Sequence, residues 1–157
     1  MCKKNYVPLH NHSHYSALDG YGTIDEYVEM AKEFGFTGFG LADHGTASGI
    51  YSFIKKMQDA GLIPVPGVEF YVAPENELGA KAKHQIFYGE NGTKSSKYDV
   101  SKGAYTHLTV FAYNNEGLSN LFKLTSMSYQ KEHFYTNPRI DTSMLVEHSE
   151  GLIVTTG

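Results

Sequence analysis

Three histidines on alternate positions, His10, His12 and His14, are followed by Asp19 in the stretch PLHNHSHYSALDGYG. Side chains of an extended segment repeat with a period of two, so His10 and His12 share one face, and His14 joins them if the strand continues that far. Imidazoles grouped with carboxylates suit zinc, manganese or iron better than magnesium or calcium. A lone His-x-His also has ordinary hydrogen-bonding uses, so a metal site needs donors from elsewhere in the chain. Candidates are Asp43 and His44 in FGLADHG, Glu69 in PGVEFYVA and His107 in HLTVFAY. Each has a structural alternative. His44 would cap the next helix, Glu69 would be a satisfied polar group, His107 would pack within a strand, and Asp19-Gly20 would be a turn. Asp43 is read as orienting His44 by a hydrogen bond rather than touching a metal. His84, His133 and His148 are read as loop or helix-surface residues.

The elements that must carry these residues alternate between strand and helix. Residues 6–10, YVPLH, read as a first strand with the histidines at its end. In TIDEYVEMAKEFG, Thr23 and Glu26 form a capping box, Ile24, Tyr27, Val28, Ala31 and Phe34 an apolar face, and Gly35 a stop. FGLAD reads as a buried strand, SGIYSFIKKMQDAG as a second amphipathic helix and IPVPGVEFYVA as a third strand. A stretch rich in Gly, Lys, Ser and Asn, about residues 75–105, is read as a long inserted loop or hairpin containing QIFY as a strand. HLTVFAY, a helix over NEGLSNLFKLTSMSYQKE, a turn at Asn137 and Pro138, a short helix around residues 144–148 and a final strand GLIVTTG follow. This alternation predicts an α/β fold of parallel strands with right-handed crossovers. The candidate donors then gather at strand C-terminal ends, where such folds build their sites, except His107, which lies near the start of its strand.

Composition sets the outer bounds. A chain of 157 residues with 41% hydrophobic content suits one globular domain, with no second one. No apolar run approaches the roughly 20 residues of a membrane helix, and Lys3, Lys4 and Asn5 followed by polar histidines do not resemble a signal peptide. A cytoplasmic protein with no membrane contact is expected. The single Cys2 excludes an internal disulfide framework. A formal charge of −4 speaks against an autonomous nucleic-acid binder, although bound cations would alter that balance. Lys81, Lys83, Lys94, Lys97 and Lys102 are accordingly read as a solvated loop.

Taken in order, LHNHSHYSALDG, LADHG, PGVEFYVAP, HLTVFAYNNEGLSNLFKLTSMSY and HSEGLIVTTG resemble the polymerase and histidinol phosphatase (PHP) domain at the N-terminus of bacterial or phage DNA polymerase III alpha subunits. The resemblance implies a distorted (β/α)7 barrel, of which this chain supplies about five of seven strands, with residues 1–157 as the N-terminal part of that domain. It implies up to three divalent metal ions, zinc, manganese or iron, held by His10, His12, Asp19, His44, Glu69 and His107. His14 stands where the family commonly has an acidic residue and is not among those ligands. The implied chemistry is metal-dependent phosphoester hydrolysis, linked in the polymerase branch to 3′ to 5′ exonuclease proofreading. The family continues past the position of Gly157 with a cysteine and an Asp-x-His, so the C-terminal remainder of a polymerase, in cis or in trans, is the implied partner, and DNA is reached through it. Two alternatives stand beside this reading: a free-standing PHP-type phosphatase of a small phosphate ester, and a catalytically silent structural domain of the polymerase.

Overall fold

The computed structural model describes residues 6–73, 84–88, 94–98 and 105–156. Cys2, Lys81, Lys83, Lys102 and Gly157 lie outside the described residues.

Helix α1 (Ile24–Phe34) starts where the capping box predicts. The Thr23 side chain accepts from the Glu26 N–H, Glu26 accepts from the Thr23 N–H, and Gly35 ends the helix at φ 68°. Ile24, Val28 and Ala31 are buried, whereas Phe34 is half-exposed and stacks on Phe36. The Thr23 backbone N–H is the main cause that holds the Glu26 carboxyl below its ordinary value of 4.5. A depressed carboxyl stabilises the fold above its unfolded value and loses that contribution as pH falls through the folded one. Wild type is therefore expected to melt higher than Glu26→Gln near neutral pH, with the gap closing below about pH 4; a gap constant from pH 6 to 3 would contradict the capping box.

Strand β1 (Gly38–His44) leads to helix α2 (Ile50–Asp59) and strand β2 (Ile63–Val72). Strands β3 (His84–Tyr88) and β4 (Lys94–Tyr98) pair antiparallel as a separate two-stranded sheet, in keeping with the expected hairpin and placing Lys94 and Lys97 on β4. Strand β5 (Thr106–Ala112), helix α3 (Asn115–Ser128), the two-residue strand β6 (Arg139–Ile140), helix α4 (Thr142–Glu147) and strand β7 (Leu152–Thr156) follow. The main sheet has five strands in the order β1-β2-β5-β7, with β6 paired to β2.

Two expectations are corrected. The sheet is mixed: β1 and β6 run parallel to β2, but β5 is antiparallel to β2 and β7 antiparallel to β5. Among the described residues no helix lies between β2 and β5, only the β3–β4 pair, and without a helical crossover nothing obliges the two strands to run in the same direction. Residues 6–10 are also not a strand. They lie along β1, with the Gly40 N–H donating to the Pro8 carbonyl at 2.7 Å and the Ala42 N–H to the Asn11 carbonyl at 2.8 Å. Pro8 has no N–H to return, and the Asn11 side chain donates instead to the Gly40 carbonyl at 3.0 Å. The short β6 thus takes the place expected for the first strand in the five-strand count.

Strand periodicity separates the two faces of the sheet. Phe39 and Leu41 of β1 join Ile24, Val28, Ala31, Phe53 and Met57 in one core cluster. Val68 and Phe70 of β2, Val110 and Ala112 of β5 and Leu121 and Leu124 of α3 form another. Residues of the opposite parity, Gly40, Ala42 and His44 on β1, Gly67, Glu69 and Tyr71 on β2, and His107, Thr109 and Phe111 on β5, therefore share the other face. Gly67 is required there because a Cβ would come within 2.8 Å of the Phe111 ring.

Candidate metal centre

On that face, at one end of the sheet, the structure brings together all six residues singled out as ligands. Parallel register places His44 beside Glu69, and antiparallel register places His107 beside Tyr71. The reversed direction of β5 explains why His107 sits near the start of its strand: the start of β5 lies at the same sheet end as the C-termini of β1 and β2. Residues 9–20 complete the cluster from the outer side of β1.

Glu69 is the hub. Only 4% exposed, its Oε2 lies 2.6 Å from His10 Nε2, 3.1 Å from His12 Nε2 and 3.5 Å from His44 Nε2, while Oε1 lies 3.2 Å from His107 Nδ1. Asp19 Oδ2 lies 3.2 Å from His44 Nε2 and 3.5 Å from His12 Nε2. With metal–ligand bonds of about 2.1 Å, the edges of a coordination tetrahedron are about 3.4 Å. Most of these separations match that edge, and the donor types are those of a zinc, manganese or iron site. The closer His10–Glu69 contact is a charge-assisted hydrogen bond that would have to open by under an ångström.

Three groups of donors each lie within 4.8 Å of one another: His10, His12 and Glu69; His12, Asp19 and His44; and His44, Glu69 and His107. One imidazole nitrogen binds one ion, whereas a carboxylate can bridge two with its separate oxygens. His10 and His12 with Glu69, and His44 and His107 with Glu69, are thus compatible as a pair of sites that share the one carboxylate. The group built on Asp19 competes with both for histidine nitrogens. The rings themselves pack closely, His12 stacked on His44 at 4.6 Å and His10 edge-on to His12 at 5.0 Å. Nδ1 of both His12 and His44 is buried with no hydrogen-bond partner among the described residues, so each ring has its polar capacity directed at the cluster through Nε2.

Neighbouring residues pack around the ligands. Asp43, expected to orient His44, instead accepts from the Ser13 N–H and, at 2.9 Å, from the Ser13 hydroxyl. Strand alternation forces this result, since Asp43 points to the opposite face from His44. Burial outweighs the two Ser13 bonds and raises the Asp43 carboxyl above its ordinary value. The Tyr27 hydroxyl donates to the His12 carbonyl, and burial raises its pKa. Tyr71 stacks on His44 at 5.5 Å and meets His107 and Tyr105 edge-on at 5.1 and 4.9 Å. Burial raises the Tyr71 hydroxyl pKa as well, ahead of the nearby Tyr105, Asp19 and Glu69 charges.

Ser13, Tyr27 and Tyr71 were not singled out from the sequence. Tyr27 counted there only as one position of an apolar helix face, and Tyr71 was hidden in an apolar run. His14 is exposed, with its ring against Tyr15 and its N–H donated to the Gly22 carbonyl at 3.0 Å, outside every donor group. His133 Nδ1 bonds the Met127 carbonyl at 2.8 Å, and His148 caps the end of α4; both are structural.

The model of the PHP domain family matches residues 8–157. This chain belongs to the PHP domain family. Over 154 residues it is 38% identical to the DNA polymerase III subunit alpha of Mycobacterium tuberculosis, covering 98% of this chain and 13% of that protein. The same subunit of Aquifex aeolicus is 38% identical over 153 residues, covering 98% of this chain and 12% of that one. The PHP chain thus spans about an eighth of the length of these relatives. A solved structure from Bifidobacterium adolescentis, crystallised as a candidate metal-dependent phosphoesterase, aligns with a TM-score of 0.49 at 20% identity, over 80% of this chain and 34% of that one. Among the described residues no helix is long and apolar enough to cross a membrane.

Proposed function

We propose that this chain is the PHP portion of a replicative DNA polymerase III alpha subunit and contributes a metal-dependent phosphoesterase centre to it. The observation that carries the reading is one buried carboxylate, Glu69, in contact with four imidazoles from three separate segments. His10, His12, Asp19, His44, Glu69 and His107 are the proposed ligands of zinc, manganese or iron. The donor arithmetic favours two ions on this chain, with a third needing donors beyond these six. Bound there, the ions would supply a deprotonated water at neutral pH and neutralise charge on a phosphate ester.

The residues have their own parts in this reading. Glu69 bridges the two halves of the site and keeps negative charge at its centre. His10, His107 and Asp19 stand half-exposed at the mouth, where a phosphate would approach, and His12 and His44 form the less accessible floor. Tyr71 closes one wall against water with its ring.

Residues 1–157 form one unit in this proposal, with about 75–105 as an insert and the polymerase remainder as partner. DNA is the substrate reached through that partner, the reaction is 3′ to 5′ exonucleolytic, and the location is cytoplasmic. The test combines metal analysis of purified protein, equilibrated with Mn²⁺, Zn²⁺ or Fe²⁺, with hydrolysis assays on a 5′-labelled oligonucleotide and on p-nitrophenyl phosphate. Retained metal with shortening from the 3′ end supports the proposal. Turnover of the small ester alone identifies a phosphatase, and metal without turnover a structural centre. A chain that retains no metal, alone or joined to the polymerase remainder, refutes the site.

A further inference from the structure

Ser16 is 2% exposed and lies in the turn between the first histidines and Asp19. Its hydroxyl donates to Asp19 Oδ2 at 3.3 Å and accepts from the His44 N–H at 3.1 Å. A serine hydroxyl has one proton to give, and here that proton goes to one candidate ligand while a lone pair holds the backbone of another, 28 positions away. The backbone of Ser16 fixes the hydroxyl in place. Its N–H donates to the Ser13 carbonyl at 2.8 Å, and its carbonyl accepts from the Asp19 and Gly20 N–H groups at 3.1 and 2.9 Å. Asp19 needs such a restraint, because its side chain is 43% exposed and Leu18 before it is in the left-handed region at φ 68°.

We propose that Ser16 is a positioning residue that sets the separation of Asp19 from His44, and through it the geometry of the donor group that contains both. The proposal rests on the metal-centre reading for its consequence, but not for its geometry. Ser13 provides an internal comparison. It is equally buried and lies in the same turn, yet its hydroxyl bonds Asp43 and the Tyr15 N–H and touches no proposed ligand. A general weakening of the turn would affect both serines alike; positioning of a ligand would single out Ser16.

Two measurements on the full chain decide it. In metal-free protein, amide hydrogen exchange followed by NMR is expected to be at least about tenfold faster at the His44 N–H in Ser16→Ala, and unchanged there in Ser13→Ala. In a Co²⁺ titration followed by visible absorption, Ser16→Ala is expected to reproduce the altered spectrum of Asp19→Asn and to bind about tenfold more weakly, as loss of a group that orients a ligand does. Ser13→Ala is expected to keep the wild-type spectrum, and Ser16→Thr, which retains the hydroxyl, to keep both the spectrum and the His44 protection. Unchanged His44 exchange in Ser16→Ala, or identical behaviour of the two alanine variants, overturns the proposal. If the wild-type chain takes up no Co²⁺ while the exchange result holds, the clamp stands and the metal-centre reading is what fails.

Discussion

Glu69→Gln is expected to leave the fold intact and weaken metal binding by at least about 100-fold, because residues that merely orient a ligand already cost about 10- to 100-fold when removed. Glu69 is in direct contact with four imidazoles and is the one residue shared by both compatible halves of the site. Glutamine keeps the size of the side chain and one carbonyl oxygen but removes the charge and the second acceptor. At 4% exposure, solvent cannot replace what is lost. Metal content after equilibrium dialysis, together with a chelator-competition titration, reads the effect, and far-UV circular dichroism checks the fold. His10→Gln at the half-exposed mouth is expected to lose less, since it belongs to one donor group only. Wild-type metal content in Glu69→Gln would mean that the histidine cluster is not a metal centre.

The residues of the site were largely legible in the sequence, but the scaffold less so, for identifiable reasons. Helix α1 could be read in full because both its ends are encoded locally, by the Thr23–Glu26 box and by Gly35. The pairing of Asp43 with Ser13 was not legible. It depends on strand parity, which sends the side chains of Asp43 and His44 to opposite faces. The direction of β5 was not legible either, because a strand's own residues do not encode whether it runs with or against its neighbour; the connecting segment decides that. An assumed parallel sheet made His107 look misplaced, and the antiparallel register brings it to the site without any change in the residues. Ser16 and Tyr27 escaped for a different reason. A serine in a turn and a tyrosine on an amphipathic face have common structural uses, and only tertiary contact brings their hydroxyls to Asp19, His44 and His12.

Gly40→Val tests how the first histidines are held. Because residues 6–10 form no strand, their attachment to β1 rests on a few bonds concentrated at Gly40 and Ala42. A Cβ at Gly40 would fall on the Leu9 carbonyl oxygen and 2.6 Å from Leu9 Cα, which is backbone and cannot swing aside as a flexible side chain would. Valine adds two further methyl groups at the same place. Residues 8–11 must then move off β1, taking His10 and His12 with them, or β1 must distort. Overpacking of this kind is expected to cost about 3 kcal/mol, and metal content should fall with it because two of the six proposed donors are displaced. Gly61→Ala separates this from a general intolerance of glycine replacement. Gly61 has a φ of 71° with nothing within 4 Å of the added Cβ, so only the left-handed backbone is penalised, by about 1 kcal/mol. Denaturant unfolding and metal content measured on both variants give the comparison. A Gly40→Val protein that loses stability but keeps its metal would show that the His10–His12 segment is held by the ions themselves rather than by β1.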